Sequence, residues 1–166
     1  MIRHADLAGA DAVAVGRLVD DYLRQTESEK ARRGLAAASA DLPEVYRREV
    51  ADPVGAYADH AVFVADVDDE VVGTVVLRDI GDELEIKRLW ASPAVRGRGV
   101  GSALLDTAIA AGGGTVRLSV WEWRTDVIRL YESRGFARVP SWDARPELVC
   151  MRRAAETPAR AEARQM

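Results

Sequence analysis

The residues with the clearest chemical potential form a glycine-rich turn at positions 96–101. The turn is Arg-Gly-Arg-Gly-Val-Gly, and apolar residues at helical spacing follow it. The first amides of a helix have no partner within the helix and lie at the positive end of its dipole. Glycines let the backbone approach an anion, and the arginines can add charge-assisted hydrogen bonds. The turn therefore predicts a pyrophosphate site, although such turns also occur for conformational reasons alone.

Two familiar phosphate-binding motifs do not fit this turn. A P-loop ends in Gly-Lys followed by Ser or Thr, and that ending is absent. The dinucleotide fingerprint of Rossmann folds follows the first strand of a βαβ unit, whereas this turn comes late in the chain. A pyrophosphate site at this turn therefore implies a fold other than a P-loop or Rossmann fold.

The composition limits the kinds of site and the classes of partner to be expected. Cys150 is the only cysteine and His4 and His60 are the only histidines, so we expect no disulfide and no metal. The formal charge of −4 argues against a nucleic-acid partner. The sequence shows no signal peptide and no stretch long enough to cross a bilayer, so we expect a cytoplasmic protein without a membrane partner.

The amino-terminal half predicts two helices and then a meander of strands. Asp6 is expected to cap a helix that ends near Thr26. Asp41-Leu42-Pro43 is expected to form the cap and first turn of a second helix, which runs to about Val50. The segment between them is left open as helical or mobile. Runs rich in β-branched residues predict strands at 61–65, 71–77 and 84–90. Turn residues at Asp68-Asp69 and at Gly81-Asp82 make these strands antiparallel neighbours.

The carboxyl-terminal half changes to strand, helix and strand. The glycine turn opens a helix to about residue 111, and a strand follows at 115–121, which predicts a right-handed parallel unit. A further helix at 125–134 and short strands near 136–139 and 148–152 complete the pattern.

Two segments together resemble the GNAT superfamily of N-acetyltransferases. The run LWASPAVRGRGVGSALL at 89–105 looks like its acetyl-CoA-binding motif, and IRLYESRGF at 128–136 resembles its recurrent helix ending in Leu-Tyr-x-x-x-Gly-Phe. The order of the two motifs, the helix and strand between them, and the preceding meander make the combination specific.

The resemblance implies an α/β fold of the α+β kind. Its mixed, mostly antiparallel sheet is flanked by helices, and a central parallel strand pair is splayed around the cofactor. Residues 1–153 are expected to form one acetyltransferase domain, and residues 154–166 a disordered tail.

The resemblance also implies which residues hold acetyl-CoA, the acyl donor. The backbone of Leu89 and Ala91 is expected to pair with the pantetheine arm, and Arg124 stands where many members carry an asparagine that begins the motif helix. The diphosphate is expected at the turn and the first helical residues, namely Arg96, Gly97, Arg98, Gly99, Val100, Gly101 and Ser102. Tyr131 completes the predicted cofactor contacts.

Acyl transfer to an amine requires an uncharged nucleophile, stabilisation of the oxyanion and a proton for the departing thiolate. By resemblance Tyr131 is the general acid, since a phenol is protonated at neutral pH. Its alternative role is that of a packed aromatic. Glu85 matches the base of some members. Glu122 or water is the alternative base, and the charged run at 83–88 can instead be a strand face with cross-strand pairs.

The acceptor is less defined than the donor. The tryptophans either line an acceptor pocket or pack in the core; they are Trp90, Trp121, Trp123 and Trp142. Acidic residues of the first helices either attract a cationic amine or only solubilise the protein; they are Asp20, Asp21, Asp41 and Glu44.

The leading hypothesis is direct transfer to the primary amine of a small molecule in a ternary complex, because neither motif contains a cysteine for a covalent relay. Protein amino termini or lysines are the alternative acceptors. A non-catalytic acyl-CoA-binding module is an alternative of another class. Family analogy leaves both a monomer and a homodimer open.

Overall fold

A computed structural model describes residues 1–37 and 41–155, and within these residues seven strands form one sheet with the order β1-β2-β3-β4-β5-β7-β6. The strands are β1 (Ile2–His4), β2 (His60–Val67), β3 (Glu70–Asp79), β4 (Glu83–Ala91), β5 (Thr115–Trp121), β6 (Ala137–Val139) and β7 (Leu148–Arg153). β4 and β5 are parallel, whereas β1 pairs with β2, and β7 with both β5 and β6, in antiparallel fashion. The predicted mixed sheet with its parallel pair is confirmed.

The helices agree with the predicted positions in most cases. They are α1 (Ala12–Arg32), α2 (Glu44–Ala51), α3 (Pro53–Ala56), α4 (Val100–Gly112) and α5 (Thr125–Ser133). The predicted cap and first turn at Asp41-Leu42-Pro43 were wrong: Pro43 is extended, with a ψ of 147°, and α2 begins only at Glu44. α3 was not predicted, because the Asp-Pro-Val-Gly segment reads as a break. It is a single short turn in which the Asp52 carboxylate accepts a hydrogen bond from the Gly55 amide.

The predicted bounds of α1 were wrong at both ends. Asp6 does not cap the helix: its amide donates to the Asp11 carboxylate at 2.6 Å, and the resulting turn delays the helix to Ala12. At the other end the helix runs past Thr26, whose hydroxyl donates to the Tyr22 carbonyl one turn back. An i,i+3 pair between Lys30 and Glu27 at 3.0 Å supports the polar extension.

The described chain packs as two compact units. The first comprises Met1–Val76 and Arg88–Leu105, and the second comprises Leu77–Lys87 and the chain from Asp106 onward. In the first unit, apolar residues of α1, β2 and β3 share one core with Leu42 and Tyr57; the core residues of these three elements are Val15, Val19, Leu23, Val62, Val64 and Val76. Gly73 allows a close approach of α4 there, because a Cβ at this position would lie 2.9 Å from the Leu104 side chain, which would have to shift.

The hairpin between β2 and β3 has the predicted two-residue turn. Asp68 and Asp69 both have positive φ, at 51° and 63°, as a tight turn between twisted strands requires. Aspartate tolerates this left-handed region better than most residues.

In the second unit, the parallel register of β4 and β5 covers four pairs, from Glu83 opposite Thr115 to Ile86 opposite Leu118. β4 itself continues to Ala91. No helix among the described residues is both long and apolar enough to cross a membrane. Residues 156–166 of the predicted tail lie outside the described residues.

Candidate active site

The glycine turn in the first unit joins a short 3₁₀ helix, Pro93–Val95, to α4. Gly97 and Gly99 each have a φ of 80°, which L side chains rarely adopt. The first helical hydrogen bond of α4 runs from the Ala103 amide to the Gly99 carbonyl at 3.0 Å. The amides of Val100, Gly101 and Ser102 therefore precede the helical ladder at the positive end of the helix dipole.

Open space surrounds this turn. A Cβ built on Gly97, Gly99 or Gly101 would meet no heavy atom within 4 Å, and residues 96–99 are exposed. The Arg98 amide is engaged inside the turn and donates to the Val95 carbonyl at 3.2 Å. The geometry suits an anion that approaches the backbone from solvent.

The two arginines of the turn have different surroundings. Arg98 is exposed, whereas the Arg96 guanidinium lies 4.8 Å from the centroid of the Trp90 ring. An Nη2 of Arg96 is also 3.5 Å from the Gln25 side-chain oxygen of α1. Their contacts with a phosphate stay a prediction.

The end of β4 leads into the turn. Leu89 and Ala91 are partly buried, and Trp90 between them is 7% exposed. Within the part of the chain that the structure describes, the buried indole nitrogen of Trp90 has no hydrogen-bond partner. The Tyr22 ring packs edge-on against the indole, with a centroid separation of 5.7 Å.

A buried charge cluster next to these residues was not predicted. Arg88 of β4 donates to the Glu49 carboxylate of α2 through Nε at 3.1 Å and through Nη2 at 3.0 Å. The Tyr57 hydroxyl donates to the same carboxylate at 2.5 Å. Burial, together with this bond to Glu49, raises the pKa of Tyr57 well above its ordinary value. Burial is the largest single influence and lowers the pKa of Arg88, but the charge and hydrogen bond of Glu49 together with the nearby Tyr22 and Tyr57 outweigh it, and the net shift is upward.

In the second unit, Tyr131 lies on α5 and is 6% exposed. Its ring centroid is 5.8 Å from that of Phe136. Its carbonyl accepts hydrogen bonds from the Arg134 and Phe136 amides, and Gly135 ends the helix with a φ of 89°. The recurrent Leu-Tyr-x-x-x-Gly-Phe segment thus forms a helix end that fixes the position of the tyrosine.

Glu85 of β4 is engaged by arginines. One carboxylate oxygen accepts from Arg117 of β5 at 3.0 Å and 3.2 Å, and the other lies 3.8 Å from Arg78. Its side chain is 19% exposed. Two positions earlier on the same face, Glu83 accepts from Arg152 at 3.2 Å. These contacts match the cross-strand pairs that the sequence left open as an alternative.

The remaining predicted residues of the second unit surround the start of α5. Arg124 is its N-cap, and the Arg124 amide donates to the Trp121 carbonyl at 3.0 Å. Glu122 is exposed. Trp121 stacks on Trp123 with a centroid separation of 5.0 Å, whereas Trp142 lies 4.4 Å from the Arg117 guanidinium. Trp90 and Trp121 are buried, which fits core packing.

An open cavity of about 570 Å³ lies beside α1 in the first unit. Among its lining residues are Asp41 and Glu44, two of the four acidic residues singled out in the sequence. Asp20 instead pairs with Arg24 at 2.9 Å, and Asp21 is exposed. The charged lining comprises Arg24, Glu27, Asp41, Glu44 and Arg47.

The first unit brings together the predicted donor residues at positions 89, 91 and 96–102. Glu85, Arg124 and Tyr131 belong to the second unit. Among residues 1–37 and 41–155, no group of histidine, cysteine and acidic side chains is arranged to hold a metal ion. Sequence reasoning missed Glu49 and Tyr57, because nothing in a sequence shows that Arg88 meets a partner 39 positions away.

A family model described as the acetyltransferase (GNAT) family matches residues 23–136. No match to a curated protein was found.

Solved structures share the fold at low sequence identity. A GNAT-family acetyltransferase from Staphylococcus aureus Mu50 is 12% identical, with a TM-score of 0.68 over 94% of this chain and 99% of that one. The PaiA N-acetyltransferase from Thermoplasma acidophilum, in complex with coenzyme A, is 18% identical, with a TM-score of 0.67 over 93% and 98%. A ribosomal-protein-alanine N-acetyltransferase from Brucella melitensis is 19% identical, with a TM-score of 0.64 over 93% and 99%.

Proposed function

The chain belongs to the acetyltransferase (GNAT) family, and from this premise we propose that it transfers the acetyl group of acetyl-CoA to the primary amine of a small molecule. The amine attacks the thioester carbonyl carbon directly, in a ternary complex with the donor. The C–N bond forms, the C–S bond breaks with its electron pair on sulfur, and one proton moves from nitrogen while another reaches the thiolate. The products are an N-acetylated amine and the free thiol of coenzyme A.

The observation that carries the donor assignment is the shape of the glycine turn. Gly97 and Gly99, each with a φ of 80°, turn the chain into α4. The amides of Val100, Gly101 and Ser102 lie before the first hydrogen bond of this helix. A diphosphate gains backbone hydrogen bonds there and a favourable helix dipole. The coenzyme A bound to the Thermoplasma relative supports this choice of ligand.

The end of β4 is proposed to hold the pantetheine arm. The parallel ladder with β5 ends at Ile86, and β4 continues through Leu89 to Ala91. Peptide groups of an extended strand can pair with the amides of pantetheine as they would with another strand. A backbone amide at Leu89 or Ala91 is also proposed to donate to the thioester oxygen as negative charge develops on it.

Tyr131 is proposed to protonate the departing thiolate. Its phenol carries a proton at neutral pH, and the helix end around Gly135 fixes its backbone. Arg124 is proposed to contact the cofactor from the start of the same helix.

Glu85, Glu122 and water are the candidates for accepting the amine proton. Glu85 stays the prediction by family resemblance, but its ion pairs with Arg117 and Arg78 support a structural role. Glu122 is exposed, and an amine that reaches the site uncharged can lose its proton to water.

The cavity beside α1 supports a small acceptor. Its volume of about 570 Å³ falls in the range typical of small-molecule sites. The charged lining is mixed, because the carboxylates of Glu27, Asp41 and Glu44 lie beside Arg24 and Arg47. Glu27 and Glu44 also pair with Lys30 and Arg48, so the lining attracts a cationic amine only weakly. α1 also links this cavity to the donor turn, because Gln25 contacts Arg96 while Ser28, three positions on, lines the cavity.

The test is a screen of acceptors by thiol release from acetyl-CoA, with mass spectrometry of each product. Polyamines, amino acids and amine antibiotics form one arm, and peptides with free amino termini or lysines form the other. Turnover of a small amine with a mass gain of one acetyl group supports the proposal. Turnover of peptides alone would show that the acceptor is a protein amine rather than a small molecule. Binding of acetyl-CoA without thiol release in either arm would show that the protein is a non-catalytic acyl-CoA-binding module.

A further inference from the structure

A row of contacts joins the donor turn to α1 in the first unit. The Arg96 guanidinium covers the Trp90 ring at 4.8 Å, and Tyr22 of α1 packs edge-on against the same ring at 5.7 Å. Gln25, one turn further along α1, lies 3.5 Å from Arg96. Sequence analysis predicts separate roles for these residues, with Arg96 as a phosphate ligand and Trp90 as a core residue or pocket wall.

The contact between Arg96 and Trp90 joins an exposed side chain to a buried ring. Trp90 is 7% exposed and fixed within β4, whereas Arg96 is exposed and begins a turn with three glycines in six residues. A free arginine side chain and a glycine backbone both lose much conformational entropy when they are ordered. Indole is the strongest cation–π partner among the aromatic side chains. The ring can therefore order the start of the turn before any ligand arrives.

We infer that Trp90 is a positioning residue of the donor site. Its ring holds Arg96, the first residue of the glycine turn, in the conformation that receives the diphosphate. The inference rests on the proposed function and deepens it. Ordering the turn in advance lowers the entropy that coenzyme A binding must otherwise offset. Trp90 thereby contributes to affinity for the diphosphate through Arg96.

The direction in which a Trp90 substitution changes coenzyme A affinity separates this role from the alternative, in which Trp90 competes with the cofactor for Arg96. If Arg96 must leave Trp90 to reach the diphosphate, the ring competes with the cofactor, and its removal strengthens binding or leaves it unchanged. If the ring holds Arg96 in the receptive position, its removal weakens binding. Because Trp90 acts through Arg96, the effect must also vanish when Arg96 is absent.

The experiment measures coenzyme A affinity by calorimetry for Trp90→Phe and Trp90→Leu, each with and without Arg96→Ala. We expect affinity to fall in the order Trp, Phe, Leu, with a total loss of about twofold to thirtyfold, the range of a cation–π contact. In the Arg96→Ala background, the proteins with Trp, Phe or Leu at position 90 should bind coenzyme A with equal affinity. An unchanged or tighter complex for Trp90→Leu, or an equal loss without Arg96, overturns the inference.

Two controls exclude general damage to β4. Arg98→Ala removes an exposed arginine of the same turn, and its effect should add to that of Trp90→Leu without coupling. The loss in the Trp90 variants should be larger for coenzyme A than for S-acetylpantetheine, which lacks the diphosphate and does not use the turn. An equal loss with S-acetylpantetheine would mean that the strand itself is damaged and would contradict the inference.

Folding does not limit this test. The Trp90 indole nitrogen makes no hydrogen bond to the described residues, so Trp90→Phe removes none and keeps a ring against Tyr22. Trp90→Phe therefore carries the test if Trp90→Leu does not fold. Failure of the wild-type protein to bind coenzyme A would overturn the proposed function itself, whereas binding without coupling between Arg96 and Trp90 overturns this inference alone.

Discussion

The glycine turn of the first unit and Glu85 of the second are both polar, and they differ in what already engages them. The turn presents amides that precede a helical ladder, and its glycines face open space. Glu85 has one carboxylate oxygen bonded to Arg117 and the other near Arg78. One group is arranged for a ligand from solvent, and the other is largely satisfied by the protein.

This difference bears on how a functional residue is recognised. A buried or half-buried charge needs a partner whether or not it has a function, so a charged residue on a strand says little about chemistry. Backbone amides that precede the first hydrogen bond of a helix and face open space keep a hydrogen-bonding capacity that a ligand can use. The geometry therefore supports the donor turn more strongly than it supports Glu85 as the base, and substitutions in both regions test this difference.

The largest effect is expected for Tyr131→Phe, which tests whether chemistry in the second unit depends on the phenol. The variant keeps the ring packed near Phe136 and removes the proton source. General acid catalysis typically contributes about 10²-fold to 10⁴-fold, so saturated turnover should fall within that range while acetyl-CoA affinity stays nearly constant. Thiol release at saturating substrates and calorimetry measure the two quantities.

A melting curve on the same Tyr131→Phe preparation provides the control. If the hydroxyl only anchors α5, stability falls by about 1 kcal/mol while turnover per folded molecule is retained. That result would remove Tyr131 from the mechanism.

The next effect concerns the turn itself, through Gly99→Val. Valine at a φ of 80° costs about 1–2 kcal/mol and its side chain enters the space assigned to the diphosphate, so acetyl-CoA affinity should fall at least about tenfold. Gly34→Val is a matched control in the same unit, because Gly34 has a φ of 72° and also faces open space. It should be strained to a similar degree and bind acetyl-CoA normally. Equal affinities for the two folded variants would contradict the assignment of the turn.

A smaller effect is expected for Glu85→Gln. Loss of a half-buried ion pair should cost about 1–3 kcal/mol of stability, and the contacts favour a change in turnover of less than about tenfold. Glu83→Gln is the matched control, because Glu83 pairs with Arg152 on the same face of β4. A base at Glu85 instead predicts a fall in turnover of about 10²-fold or more for Glu85→Gln alone, partly recovered at high pH where more amine is uncharged.

The same contrast explains how much the sequence could predict. The strands, the hairpin turn and the glycine turn follow from local preferences, since β-branched runs, Asp68-Asp69 and Gly97 act through their own backbone conformations. The two sequence motifs were sufficient for the fold class and the family. These features need no knowledge of distant residues.

Features that depend on tertiary packing were out of reach. Glu49 of α2 meets Arg88 of β4 across 39 positions, and no local pattern encodes that contact. The ion pairs of Glu85 and the contact of Arg96 with the Trp90 ring likewise depend on tertiary packing. The end of α1 was misplaced because its polar final turns resemble a loop until the Lys30–Glu27 pair is seen.

The smallest expected effect, for Gly101→Ala, has opposite signs for stability and binding. Gly101 lies in the first turn of α4, its φ is not in the left-handed region, and a Cβ there would meet no protein atom within 4 Å. Alanine should therefore stabilise the helix by up to about 1 kcal/mol, since glycine is the poorer helix former. The same methyl group lies beside the amides proposed to hold the diphosphate, so acetyl-CoA affinity should fall about threefold, equivalent to roughly 0.6 kcal/mol. Gly114→Ala, just beyond the other end of α4, also adds a methyl group without a close contact and should leave affinity unchanged. A higher melting temperature together with weaker binding for Gly101→Ala alone would show that the glycine is kept for the ligand at the expense of the helix, whereas unchanged affinity would mean that the diphosphate does not approach the backbone at this residue.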